Sequence, residues 1–573
     1  MRSSFPTALF PTALFVLAVA FLACGGGDGD PPADAGVDAI VGGAQRPFPR
    51  LACPGDPGCM SLGDGVLRAG AAKIDITPDL NAKETGWQDE DGDHVYDEGE
   101  PFVDRNGNGT LDAVWIAGSQ NARPATGVHD PLWARVMVLE QGDVRVALVV
   151  YDFIGLFIDD MDRVRELIAP ELALDHVIFA STHSHQSPDT MGLWGPTSLE
   201  SGVDPAYMAT VRSRTVEALR EAVTALEPVD VYVATAPTLT LGRAQPYLAD
   251  LRDPVIVDPT LTIVQLASKS EPGRNVGSLV HWSSHPEYVG FDNNLLSSDL
   301  VHYIRQTIED GAPATSAGGA AQGLGGVAVY LQGVLGGQIG PWGARPVAAD
   351  GTEVGDPGFA KAEAAGTNVG RLALEALGRP GDVYLIPEPR LAFRTGDLLV
   401  RVENVFYHVG ALAGVFDRTF VGLDPERPID EDNMPYVASR TSYLQLGPIA
   451  MLTAPGELHP ELFVGGYDGT WSFGVPIVAA DNPNPPDLAL APAGPYLRDL
   501  MDQQPDLEFP MIIGLAEDTV GYIVPRWNFE LSASAPYLEE APGDHYEETN
   551  SVGPTAELEI VGPMGELVTW RRP

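Results

Sequence analysis

Apolar residues along this chain fall into short blocks separated by Gly, Pro, Asn and Asp, the punctuation of a protein built largely on strands. Lys73-Ile74-Asp75-Ile76-Thr77-Pro78 reads as a first strand stopped by proline. Val136-Met137-Val138-Leu139-Glu140 and Val144-Arg145-Val146-Ala147-Leu148-Val149-Val150 read as paired strands around a Gln-Gly-Asp turn. Asp160 to Leu172 predicts a helix with an acidic first turn, and Val177-Ile178-Phe179-Ala180 predicts a buried strand. A strand–helix–strand unit gathers its ligands at the C-terminal strand ends. Asp152, just past the second strand, is therefore expected on the edge where the third strand ends. Ala206 to Leu226 predicts an amphipathic helix with Val211, Val216, Leu219, Val223 and Leu226 on its buried stripe. Further strands are predicted at Val229–Ala234, Leu261–Ala267, Pro448–Leu452 and Met511–Ala516, and a helix from Phe359 to Leu377. The pattern predicts a mixed α/β (α+β) fold.

Several of these strands run into polar residues. Ser181-Thr182-His183-Ser184-His185-Gln186-Ser187-Pro188 follows the Val177 strand. If the strand continues, alternation puts His183 and His185 on one face. Two imidazoles there form half of a metal site, or else one surface and one core histidine. Gly277-Ser278-Leu279-Val280-His281-Trp282-Ser283-Ser284-His285-Pro286 repeats the theme, with His281, Ser283 and His285 on one face. Glu457 in Pro455-Gly456-Glu457 and Tyr522 in Gly521-Tyr522 stand at two more predicted strand ends. Two histidines and a carboxylate with an open position are a common catalytic zinc set. Such an ion lowers the pKa of its water to about 7 and polarises a carbonyl.

Composition narrows the setting. The chain has 573 residues, 44% hydrophobic and 20% charged, enough for a sizeable core. A net charge of -45 without a basic stripe excludes nucleic acid as a partner. Residues 1–23 read as an export signal, with Arg2 ahead of an apolar run, Ala13 to Ala23, too short to span a bilayer. Leu22-Ala23-Cys24 followed by Gly25-Gly26-Gly27 resembles a bacterial lipoprotein signal, in which Cys24 is lipidated and holds the protein on the cell envelope. Secretion after cleavage is the alternative. Residues 24–65, rich in Gly, Pro, Asp and Ala, are expected to be a flexible tether. Cys53 and Cys59 bracket a turn and read as a small disulfide or as two free thiols.

An acidic insert, residues 86–115, interrupts the body after the first strand. Asp89, Asp91, Asp93, Asp97 and Glu100 fall at positions 1, 3, 5, 9 and 12 of a calcium loop. Asp104, Asn106, Asn108 and Asp112 repeat the spacing, with Gly109 at position 6 and no acid at 12. Ca²⁺ suits alternating hard oxygens; a solvated acidic loop is the plainer alternative.

Taken in order, Asp75-Ile76-Thr77-Pro78, Asp152, Thr182-His183-Ser184-His185, His285-Pro286, Pro455-Gly456-Glu457, Gly514-Leu515-Ala516 with Gly521-Tyr522, and Tyr546-Glu547 resemble the catalytic domain of the neutral/alkaline ceramidase family. The resemblance implies one large domain, 66–573, of mixed sheets covered by helices. It implies zinc on His183, His285, Glu457 and Tyr522, and water activated there attacking the amide of an N-acyl sphingoid lipid. His185 matches a proton-handling histidine, Arg243 a substrate-contacting arginine, and Tyr546 a tyrosine that hydrogen-bonds the carbonyl oxygen. The chain departs from the family at Gly337-Gln338-Ile339-Gly340-Pro341, where a Gly-Asp-Val-Ser-Pro stretch is usual, and at Glu517 and Thr519. It is also expected to lack a full C-terminal β-sandwich domain. Two other functions stay open: zinc hydrolysis of another amide or ester, and a non-catalytic calcium-binding surface lipoprotein.

Overall fold

The apolar blocks form two stacked sheets. A computed structural model describes residues 51–52, 65–241, 247–314, 319–338, 343–424, 426–430 and 432–570, all within one compact unit, Pro49–Pro573. In the larger sheet, strands Val327–Gln332, Asn275–Trp282, Thr260–Ser268, Glu227–Pro237, Arg68–Asp75, Trp133–Gln141, Val144–Tyr151 and His176–Ser181 lie in that order. The outermost pair at each edge is parallel, and the pairs between are antiparallel. Each parallel pair is joined through a helix, Ile158–Leu167 on one edge and Leu300–Asp310 on the other. The second sheet orders Leu51–Ala52, Leu391–Arg401, Tyr436–Leu446, Ile449–Thr453 and Phe509–Ile513.

The middle of each sheet is buried on both faces, which explains why blocks such as Val146–Val150, Val177–Ala180 and Ile449–Leu452 are apolar throughout instead of alternating. Met137, Leu139, Val146, Leu148 and Val150 of the large sheet pack on Phe393, Leu444, Met451 and Met511 of the second. Their neighbours Val136, Val138, Ala147 and Val149 turn outward onto helix Pro205–Thr224. The second sheet's outer face, including Val400, Val437 and Leu452, is covered by Ile560 and Leu567 of helix Ala556–Thr569. The result is a helix–sheet–sheet–helix stack, the mixed α/β fold expected, with the sheet-on-sheet core as the unexpected part. Among the described residues no helix is long and apolar enough to cross a membrane.

Other expectations shift in detail. The predicted helix from Asp160 to Leu172 is Ile158–Leu167 followed by a separate turn, Pro170–Leu172. Pro170 lacks the N–H a continuing helix needs and disfavours helical backbone at Ala169. Leu51–Ala52, inside the expected tether, pairs with Thr395 and Gly396, so the chain is tied to the body ahead of Leu67. The export signal, Cys24, Cys53, Cys59, Arg243 and most of the tether lie outside the described residues.

The large sheet curls until its two edges are stitched by one segment, Gly514–Glu517, arriving from the second sheet. Gly514 N donates to Gln332 O at 2.9 Å, while Ser181 N donates to Leu515 O at 3.1 Å and Glu517 N to Phe179 O at 2.8 Å. Leu515 and Glu517 adopt φ of 50° and 70° to make this crossing, a conformation costly for residues other than glycine. Ionic contacts compensate: the buried Glu517 carboxylate accepts from Arg165, from His176 at 2.7 Å and from Ser442 at 2.6 Å. Glu517 therefore serves the fold and not the site. Burial opposes its charge, but Arg165 and His176 bring its pKa down to about 2. A folded pKa below the unfolded value contributes stability that is full above about pH 4.5 and fades toward pH 2. Glu517→Gln is expected to lower unfolding free energy by about 3 kcal/mol at neutral pH. Denaturant titrations should show that gap narrowing as pH falls through this window; a gap independent of pH would contradict the assignment.

Candidate functional site

Two histidine turns leave opposite edges of the curled sheet and meet. The strands stop at Ser181 and Trp282, so neither His183 nor His285 lies on a strand. The expected strand alternation is thus replaced by a turn: His183 sits at φ 69°, held by its N–H donating to Phe153 O at 2.9 Å. This kink sets the His183 ring 4.7 Å from that of His185 and 4.9 Å from that of His285, centroid to centroid. His281 stays behind on the strand with Nε2 2.7 Å from Ile512 O, outside the cluster.

One buried side chain ties the turns together. Gln332, at the end of its own strand, donates through Nε2 to Thr182 O at 3.1 Å and to Ser284 O at 2.8 Å. Its Oε1 accepts from Ser284 N and Gly333 N, each at 3.2 Å. A single amide thus bridges the residues just before His183 and His285.

Glu457 and Tyr522 arrive together from a two-residue parallel ladder, Glu457–Leu458 on Tyr522–Ile523, in which they are direct partners. The ladder is tight. Gly521 has φ 81°, and a Cβ there would lie 2.0 Å from Asn550 O, so only glycine fits before Tyr522.

The donor atoms converge. His183 Nδ1 donates to Ile154 O at 2.7 Å and His285 Nδ1 to Gln338 O at 3.0 Å. Carbonyls can only accept, so Nδ1 is the donor in both rings and Nε2 is the nitrogen turned to the centre, the orientation metal-binding histidines adopt. Glu457 Oε2 stands 3.4 Å from His183 Nε2 and 3.0 Å from His285 Nε2, and Tyr522 OH 3.4 Å from His285 Nε2. Acceptors this close need a proton or a cation between them. Burial works against charge on Glu457, yet His183 and His285 hold its carboxyl well below the usual range. Burial, with Glu457 adding to it, keeps the Tyr522 phenol protonated; an added cation reverses both effects.

His185 completes a buried group of three histidines whose nitrogens lie within 4.8 Å of one another. Its Nδ1 is 2.9 Å from Glu287 Oε1, an ion-pair distance, while neither ring nitrogen makes a hydrogen bond although both are buried. Burial lowers the His185 pKa. Against burial, His185 and the other two histidines draw Glu287 down to about 2. An orphaned nitrogen, two inward-facing imidazoles, a carboxylate and a phenol fit a divalent metal.

His183, His185, Glu457 and Tyr522 of this group line a cavity of about 810 Å³, counting the part open to solvent. Phe157, Met191, Leu193, Phe416, Phe420 and Val520 give it apolar walls, and Tyr546, 41% exposed, stands at its mouth. The Tyr546 ring is 6.1 Å from that of Tyr522, centroid to centroid. Asp152 lies on the expected strand-end edge, between Tyr151 and Phe153, whose carbonyls accept from Thr182 N and His183 N at 2.9 Å each, but its carboxylate is taken up by Arg305, at 2.7 and 2.8 Å, in a buried pair. Sequence reasoning missed Glu287, two residues past His285, and Gln332. The departure at Gln338 is harmless to His285, because only its backbone carbonyl is used.

The acidic insert folds around its own small core of Trp87, Leu111, Ala113, Trp115 and Ala122. Carboxylates of Asp89, Asp91 and Glu100 cluster, as do those of Asp91, Asp93 and Asp97. Glu100 closes the first loop by accepting from Glu90 N at 2.8 Å and Asp97 N at 3.0 Å. In the second loop, Asp104 accepts from Gly107 N and Gly109 N, Asn106 from Asn108 N, and Asp112 from Asn106 and Asn108 side chains. Its missing twelfth-position acid is replaced from upstream. Buried Glu84 accepts from Arg105 N at 2.6 Å and Asp112 N at 3.0 Å, the positions that Glu100 binds in the first loop.

No protein-family model matches the chain, and no curated protein matches its sequence. Solved structures do. The neutral ceramidase of Pseudomonas aeruginosa superposes with a TM-score of 0.56 at 15% identity, over 88% of this chain and 74% of its own. A ceramidase complexed with C2 gives the same score and identity over 88% and 75%. The likeness establishes the fold. Function rests on the site itself.

Gln332→Leu, which removes the amide clip while keeping bulk, is expected to weaken divalent-metal affinity by about 10–100-fold. Competition with a chelator of known affinity measures this; wild-type affinity in the variant would show that the turns meet without Gln332.

Proposed function

We propose that this protein is a metal-dependent hydrolase that cleaves the linear amide of an N-acyl lipid, as a ceramidase does. The observation that carries the reading is a buried group of three histidines, with Glu457 and Tyr522 within hydrogen-bonding range of it, beside an apolar-walled cavity. His183, His285, Glu457 and Tyr522 would hold the ion, and nitrogen and oxygen donors in this number suit Zn²⁺. Zinc in that position supplies Lewis acidity and a water acidified to a pKa of about 7. The chain's own groups do the rest. His185, steadied by Glu287, offers Nε2 to take a proton from the attacking water and to return it to the amine as the C–N bond breaks. Tyr546 at the mouth donates its hydroxyl to the carbonyl oxygen as charge develops. The apolar walls take the acyl chain and exclude water. Arg243, in the role its resemblance gives it, would meet the lipid's polar end. Lipidated at Cys24, the enzyme would work on a cell envelope.

Fatty-acid release from N-acyl sphingoid lipids tests this reading. His183→Ala is expected to lose both metal and activity. His185→Gln is expected to retain metal while kcat falls by about 10²–10⁴-fold. Metal loss in His185→Gln would place His185 among the ligands, and a wild-type chain free of zinc would defeat the reading. Cleavage of simple esters or amides, but not of N-acyl sphingoids, would move the substrate class.

The insert would bind calcium through Asp89, Asp91, Asp93, Asp97 and Glu100 in one loop and Asp104, Asn106, Asn108, Asp112 and Glu84 in the other, stiffening the segment beside the site. Calcium is expected to raise the thermal midpoint of the wild type. Isothermal titration of Glu84→Gln should show loss of one of two sites; two intact sites would contradict the role of Glu84.

A further inference from the structure

Helix Val405–Ala413 has an inverted surface. Its N-cap is sound, with the Asn404 side chain accepting from Phe406 N, but the face it shows to solvent is apolar. Val405, Val409, Leu412 and Ala413 fall at spacings of four, seven and eight residues, on one stripe. Val405 is 40% and Leu412 68% exposed, and Ala413 is exposed as well. From Val405 to Phe416 the only titratable side chains are Tyr407 and His408, and His408 is buried, with Nε2 2.6 Å from Val402 O. A surface helix with no charge on its outer face is expected to be covered in use.

What covers it follows from where the helix leads. Its inner side gives Tyr407 to the cavity wall, and the chain runs straight on into Phe416, which lines the cavity. Phe416 packs with Leu193 and Trp194 against the same buried cluster of Ile154, Phe157 and Met191. The exposed stripe and part of the cavity lining are thus carried by one segment of chain, 405–416. A second constraint is electrostatic: at -45 the chain is repelled by anionic surfaces and offers no basic patch here.

We infer that the Val405–Ala413 stripe docks on a zwitterionic lipid surface and sets the cavity mouth against it, so that an acyl chain enters without crossing water. The inference rests on the lipid-amide reading of the site. Apolar side chains at the headgroup boundary supply the binding, and charge complementarity supplies none.

The test uses the full chain and phosphatidylcholine vesicles. Hydrogen–deuterium exchange should slow in peptides covering 405–413 when vesicles are added. A Val405→Glu/Leu412→Glu variant should lose that protection. It should also lose at least about tenfold in initial rate on substrate embedded in vesicles, since two buried side chains are worth that much. Its rate on a dissolved short-chain N-acyl substrate should be unchanged. No protection in the wild type, or stronger protection with phosphatidylglycerol, would overturn the inference. Protection that appears without lipid as protein concentration rises would overturn it in favour of a second copy of the chain. Protection in a wild type that cleaves neither substrate would uphold docking and defeat the hydrolase reading.

Discussion

The structure depends on bringing together two strand ends that start on opposite edges of one sheet. A flat sheet of this strand order would hold the His183 and His285 turns far apart. Curling closes the distance, and closure needs partners for the exposed edge groups. Gly514–Glu517 supplies the backbone bonds and Gln332 supplies the side-chain bridge. Strained backbone at His183, Leu515 and Glu517 is the cost of fitting three chain directions into one junction. The buried ion pairs of Glu517 with Arg165 and His176 hold that junction from the large sheet's side, and its bond from Ser442 holds it from the second sheet's. The convergence of His183, His285, Glu457 and Tyr522 is therefore a consequence of sheet closure, and not of any one local motif.

Much of this was legible in the sequence. Apolar blocks predicted three of the four strands of the two parallel pairs, because these strands are buried on two faces; Val327–Gln332 was not among them. They could not say which face meets a helix and which meets a second sheet, since both demand the same residues. His183 and His185 were chosen for a reason the structure replaces: strand alternation would have aligned them, whereas a left-handed turn does so. Glu457 and Tyr522 are far apart in sequence, and nothing in their local spacing signals that they pair in a two-residue ladder. The resemblance joined them. Gln332 carried a signal that passed unused, a polar residue closing an otherwise apolar strand.

The insert shows the opposite balance. Its Asp and Asn spacing announced the carboxylate clusters directly, because their members are local in sequence. Its last carboxylate was invisible for the same reason: Glu84 precedes the loop it closes. Around the cavity floor, imidazoles oriented by the Ile154 and Gln338 carbonyls, a Glu457 carboxyl held well below its usual range and an unpartnered His185 nitrogen form a set that favours a cation. The apolar walls above it favour a long acyl chain over a small polar amide.

X-ray absorption at the zinc edge of the purified full chain tests the central claim most directly. The account predicts one zinc per chain, bound by two imidazole nitrogens and two protein oxygens at about 2.0–2.2 Å. A shell of three imidazoles would mean that His185 is a ligand and not the proton carrier. No zinc, at a site that also refuses added divalent metal, would contradict the account.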